Sequence, residues 1–213
     1  YGLPEINKAK IINMSNVAIP GCYPTSILIP IIPLLDNNLL NGENIIIDSK
    51  SGYSGAGKKF SLSNIKNLED FNFYNYSTNE HRHICEIQQE LNKHSSKNIN
   101  FSFNPHILPV YRGMMSTIYS DLNKDVTVED IKDTFKNFTR DLPFVKFLDN
   151  DEKADFFSVQ NTNNCLIKIF KHHNNKKIII VSLIDNLLKG AAGQAVQCFN
   201  IMSNLKEELG LIK

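Results

Sequence analysis

The stretch PGCYPTSILIPIIPLL, from Pro20 to Leu35, constrains the fold more than any other part of the chain. Apolar residues stay dense from Tyr23 to Leu40, which marks a buried, helix-like element. Pro24 suits the first turn of a helix, where a missing N–H costs nothing. Pro30 and Pro33 predict a kink or a break into two pieces. The prolines also interrupt the apolar run, so it is not a membrane span. Cys22 stands at the mouth of this run, fenced by Pro20 and Pro24. A thiol there meets the free N–H groups and positive dipole end of a helix, which favour its anion. The alternative is a cysteine buried at a helix start for packing alone.

A central buried helix needs a core around it. The chain has 213 residues, 42% of them hydrophobic and 21% charged, enough for one substantial domain. Its net charge of +1 argues against nucleic acid or a membrane as partner, since both require a concentrated basic surface. The 4 cysteines, at 22, 85, 165 and 198, form no C-x-x-C pair. That usage predicts reduced thiols and a cytoplasmic location.

Around the central run, IINMSNVAI (residues 11–19) reads as a short strand closed by Pro20-Gly21. Strands are also predicted at 44–48, 71–76, 98–103, 107–119, 144–148, 165–170 and 177–182. A helix is predicted over 84–91, and Thr127 with Asp130 forms a capping-box pattern opening a helix to about Thr139. A long helix is predicted from Asp185, its candidate N-cap, to about Leu205. Strands and helices are interspersed, which gives an α+β fold with a mixed or mainly antiparallel sheet flanked by helices.

Besides Cys22, the cluster His81-Arg82-His83-Ile84-Cys85-Glu86 carries chemistry. A histidine beside a thiolate, oriented by a carboxylate such as Glu86, is the pattern of an activated nucleophile and its base. A metal site or a solvated charged turn is the alternative, although the spacing of His81, His83, Cys85 and His94 fits no standard zinc pattern. SGYSGAGKK, Ser51 to Lys59, lacks the G-x-x-x-x-G-K-[ST] spacing, yet its glycines can bring backbone N–H groups to a phosphate or a cofactor ring. Otherwise it is a surface loop. Arg112, before Gly113, is a candidate fork for a carboxylate or phosphate, or an ordinary surface arginine.

Taken in order, YGLPEI, PGCYPT, SGYSGAGKK, HRHICEI, NPHILPVYRG and IDNLLKGAAGQAVQ resemble the N-acetyl-gamma-glutamyl-phosphate reductase family. That family lies within the acyl-phosphate reductase group, beside aspartate-semialdehyde dehydrogenase, and is similar in layout to glyceraldehyde-3-phosphate dehydrogenase. The resemblance implies a glyceraldehyde-3-phosphate dehydrogenase-like catalytic domain and NADPH-dependent reduction of an acyl phosphate through a thioester on Cys22. It implies His83 as acid and base with Glu86 orienting it, and His81, Arg112, Ser51 and Lys58 on the substrate. Ser54, Gly55, Ala56, Gly57 and Asn186 are then expected to face NADP(H). The partners implied are a small acyl phosphate and further copies of the chain, with no resident metal.

Cys85 departs from the family, many of whose members have proline there. No G-x-G-x-x-G loop is present among the 10 glycines. Residues 1–20 are therefore expected to be the last strand of an NADP-binding domain otherwise absent from this chain. Residues 21–183 are expected to form the catalytic and dimerisation domain, and 184–213 a helix packing on the nucleotide domain. Two rival readings are a cofactor-independent thiol hydrolase or acyltransferase using Cys22, His83 and Glu86, and an inactive interaction fragment.

Overall fold

The computed structural model describes residues 1–55, 72–174 and 176–212. The apolar run forms one helix, α2 (Cys22–Asp36), and every residue from Tyr23 to Leu35 is buried. Neither Pro30 nor Pro33 breaks it into the two pieces expected. A helix that is apolar all round gains burial on every side, and this outweighs the hydrogen bonds its prolines cannot donate.

The surface that receives α2 is one seven-stranded sheet in the order β2-β3-β1-β4-β7-β6-β5. Its strands are β1 (Ile45–Gly52), β2 (Tyr74–Asn75), β3 (Phe101–Leu108), β4 (Met114–Asp121), β5 (Val145–Phe147), β6 (Cys165–Lys171) and β7 (Lys177–Ile184). β1 runs parallel to β3, and β5 to β6; the other pairs are antiparallel, so the sheet is mixed. Pro105 lies inside β3, and its carbonyl accepts from Tyr76 on the β2 side. Its missing N–H thus falls where the neighbouring strand is only two residues long.

Ile45, Ile47, Phe103, Met114, Ile118, Ile167, Ile178 and Ile180 project from one sheet face onto α2. The helices α3 (Ile84–Asn92) and α4 (Val128–Thr139) close this core with Ile87, Leu91, Ile131 and Phe135. The Thr127–Asp130 capping box opens α4 as its local sequence predicts. A buried hydroxyl chain lets the layers approach: Ser116 Oγ lies 2.7 Å from both Ser26 Oγ on α2 and Ser49 Oγ on β1.

The chain ends correct two expectations. No strand forms at 11–19; the segment before it is the helix α1 (Pro4–Ile11), and residues 12–21 follow without strand pairing. Pro4 sits in the first turn of α1, so the helix signal lay upstream of the apolar residues. The predicted long helix is also interrupted. A π-turn (Leu188–Ala192) precedes α5 (Gly193–Met202), while Asp185 Oδ1 accepts from the N–H groups of Leu187 and Leu188 as a cap.

Candidate active site

Cys22 is the first residue of α2, and its N-cap is Gly21, which has no side chain to cap with. Pro24, two positions on, lacks an N–H. The N–H groups of Cys22 and Tyr23 are thereby left beside the thiol, and both favour its anion. Burial acts in the other direction and is stronger, pushing the thiol up to about 11 even though Arg82 also favours ionisation. The helix terminus does not by itself make a thiolate at neutral pH, contrary to the expectation from sequence. A base must take the proton.

The imidazole that shares a cavity with the thiol is His83. Its ring lies so close to the preceding turn that a Cβ on Gly21 would sit 2.5 Å from both His83 Nε2 and Cε1. Glycine before the cysteine is therefore required to admit the imidazole. Burial first, then the Arg82 charge, lowers His83 to about 4, so it is a neutral acceptor at physiological pH. Its Nδ1 is buried without a hydrogen-bond partner among the described residues.

Glu86 is not bonded to that nitrogen. Its Oε1 accepts from Tyr1 Oη at 2.7 Å and from Gly21 N at 3.3 Å. The carboxylate thus fixes the turn leading into Cys22, where the sequence had suggested it would orient the imidazole.

His81 sits behind His83, with ring centroids 4.8 Å apart, in a box of Tyr23, Tyr76 and Phe103. Its Nδ1 accepts from His83 N at 3.2 Å, so a proton on this ring belongs on Nε2. Burial, with the charges of His83 and Arg82, lowers His81 to about 4.

These shifts set a pH dependence. Unfolded histidines take up protons near 6.5, whereas His81 and His83 resist until about 4. The unfolded state therefore binds more protons between those values. We expect the melting temperature to fall as pH drops from 6.5 towards 4, and His81→Gln/His83→Gln to flatten that slope. An equally steep slope in the double variant would contradict this.

A cavity of about 480 Å³ opens onto Cys22 and is lined by Arg82, His83, Ser54, Gly55 and Asn186. Its remaining wall is small and apolar: Ile19, Pro20, Leu187 and Ala191, Ala192 and Ala195. Gly190 backs the thiol so closely that a Cβ there would lie 2.6 Å from Cys22 Cβ. Arg82 is exposed at the mouth, a cation to which the sequence analysis gave no role of its own. Its signal was available, since it lies between the two histidines.

The other predicted residues divide. Asn186 holds the far wall, accepting from Gly113 N at 2.7 Å and donating to Ser54 Oγ at 2.9 Å. Ser51 is buried below the cavity, with its hydroxyl donating to Gly52 O. Arg112 does not line the cavity: its guanidinium is engaged by buried Asp185, 2.7 Å away, and by Asn161 at 2.6 Å. Ala56, Gly57 and Lys58 lie outside the described residues. Among the described residues no His, Cys, Asp and Glu group is arranged to hold a metal.

A thiol at a helix start, a neutral imidazole against its turn and a cation at the mouth can support nucleophilic acyl transfer. N-acetyl-gamma-glutamyl-phosphate reductase of Clostridium botulinum (strain Eklund 17B / Type B) is 44% identical over 211 residues, covering 99% of this chain and 61% of that protein. The enzyme of the same name from Ehrlichia canis is 45% identical, with coverage of 99% and 61%. The chain thus spans about three fifths of the length of these curated relatives. The fold is shared with aspartate semialdehyde dehydrogenase II of Vibrio cholerae, complexed with ASA, at a TM-score of 0.73 and 17% identity, covering 95% of this chain and 67% of that one. Aspartate semialdehyde dehydrogenase of Francisella tularensis gives 0.73 at 19% identity, with coverage of 94% and 70%. Residues 22–186, from the thiol to Asn186, match the family described as semialdehyde dehydrogenase, dimerisation domain. Because that match takes in all seven strands, the central helix, Cys22 and His83, the chain belongs to the semialdehyde dehydrogenase dimerisation-domain family.

Proposed function

We propose that this chain is the catalytic and dimerisation portion of an NADPH-dependent reductase that converts N-acetylglutamyl 5-phosphate to the 5-semialdehyde in arginine biosynthesis, in the cytoplasm. The observation that carries the reading is His83 packed on Gly21 beside Cys22, in a chain about 44% identical to relatives of that name. His83 takes the thiol proton, and the thiolate sulfur attacks the acyl carbon. The bond from carbon to the phosphate oxygen breaks, phosphate leaves with the electron pair, and a thioester remains. Arg82 draws the anionic substrate to the mouth. The N–H groups at the start of α2 face the charge that develops on the acyl oxygen.

The apolar wall of Ala191, Ala192 and Ala195, with Gly55 and Asn186 opposite, fits the flat face of a nicotinamide. When bound there, the cofactor supplies the hydride that reduces the acyl group. As the C–S bond breaks and the semialdehyde is released, His83 returns the proton taken in the first step to the Cys22 sulfur. The α5 face carrying exposed Val196 and Phe199 continues this wall and suits packing against a nucleotide-binding domain. In the protein that carries both parts, NADPH oxidation is expected to depend on N-acetylglutamyl phosphate and to yield the semialdehyde. Turnover without nucleotide would favour the hydrolase reading instead.

The second sheet face supports self-association. Ile46, Tyr119, Ile179 and Phe170 stand opposite one another across β1, β4, β7 and β6, and Ile46 and Phe170 are 52% and 43% exposed. Such a row on a broad sheet suits a second copy of the chain. Light scattering is expected to show a dimer that Tyr119→Lys dissociates. A monomeric parent chain would contradict this.

A further inference from the structure

We infer that the short segment Tyr1–Glu5 is a clamp that positions Cys22 from two sides, making Tyr1, Glu5 and Lys189 positioning residues for the acyl-transfer step. The inference rests on the reading of Cys22 as the nucleophile. One arm begins at half-buried Tyr1, whose hydroxyl donates to Glu86 Oε1 at 2.7 Å. The same oxygen accepts from Gly21 N at 3.3 Å, one residue before the thiol. Removing the tyrosine hydroxyl leaves that carboxylate oxygen a single long bond, and the turn before Cys22 loses its anchor.

The other arm begins at Glu5. Its carboxylate is buried and accepts from Lys189 Nζ at 2.5 Å, and Lys189 is fully buried. Gln197 bridges the pair, accepting from Lys189 Nζ at 2.8 Å and donating to Glu5 Oε1 at 3.0 Å. Lys189 lies in the π-turn immediately before Gly190, which packs against Cys22 with no room for a Cβ. A buried ion pair contributes little net stability, since desolvation offsets the attraction, but it fixes geometry when its hydrogen bonds are made. Leu3, between the two arms in sequence, is fully buried in the core and anchors the segment there. The thiol is thus boxed between Gly21 and Gly190, and both walls trace back to five consecutive residues.

The test uses Tyr1→Phe and Glu5→Gln in this chain. Single-turnover acylation of Cys22 by N-acetylglutamyl phosphate is followed by peptide mass spectrometry, and iodoacetamide alkylation is followed in parallel at Cys22 and at buried Cys165. Each variant is expected to lower the limiting acylation rate about tenfold with the half-saturating concentration unchanged, as a small misplacement of a nucleophile does. Alkylation of Cys22 by the small reagent is expected to rise several-fold as water reaches the thiol, with Cys165 unaffected. Limiting rates within about twofold of the parent in both variants would overturn the clamp. So would a matched rise in Cys165 reactivity, which marks general loosening. Tyr1→Phe deletes one oxygen, so the test survives if Glu5→Gln fails to fold. If the parent chain is not acylated at all, the reaction assigned to Cys22 fails, and the two alkylation rates still judge the clamp.

Discussion

Cys22→Ser is expected to lower single-turnover acylation by on the order of 10⁴-fold or more, with the fold intact. The hydroxyl occupies nearly the same volume at the start of α2, where Cys22 packs only at the edge of the core, so the melting temperature should change little. The chemistry changes much more. Cys22 is held in the thiol form by burial, and His83 is neutral because burial and Arg82 oppose its charging. Such a pair transfers a proton only when the nucleophile is within reach of a weak base. A serine hydroxyl is far harder to deprotonate, and with His83 lowered to about 4 it gains little from this imidazole. A rate within about a hundredfold of the parent would show that another group is acylated.

Gly190→Ala is expected to lower the same rate about a hundredfold and to cost about 1–3 kcal/mol of stability. The added methyl would lie 2.6 Å from Cys22 Cβ and 2.9 Å from its Cα. One of those atoms is backbone at a helix start, so a rotamer change cannot relieve the overlap. Either the π-turn moves away from α2 or the first turn of α2 shifts, and each displaces the thiol from His83. The π-turn is also tethered behind by Lys189, which limits the first escape. Thermal melts and the acylation rate, measured together, separate the two costs. A parent-like rate with reduced stability would mean that the packing matters to folding only.

What could be read from sequence follows the range of the interactions involved. The capping box at Thr127 and Asp130 is complete within four residues, so α4 begins where its sequence says. The break expected in α2 did not follow from its prolines, because the burial that compensates them comes from strands far along the chain. Glu86 was legible as a site residue, yet its partners Tyr1 and Gly21 are 85 and 65 residues away. Arg112 reads as an anion fork until Asp185, distant in sequence, is seen to occupy it. The thiol at Cys22 divides along the same line. The helix terminus that favours the anion is local and visible, whereas the desolvation that opposes it is assembled by the whole fold. The π-turn is not legible in a run that otherwise suits one long helix, and only the position of Cys22 shows what Gly190 packs against.

The most direct test of the account is the half-reaction that requires no nucleotide. The purified chain is mixed with N-acetylglutamyl phosphate, quenched in acid, and its peptides are searched by mass spectrometry for an acyl adduct. The account predicts a thioester on Cys22, with none on Cys85, Cys165 or Cys198, and one phosphate released per adduct. An adduct on another cysteine, or none while Cys22 is also inert to iodoacetamide, would contradict it.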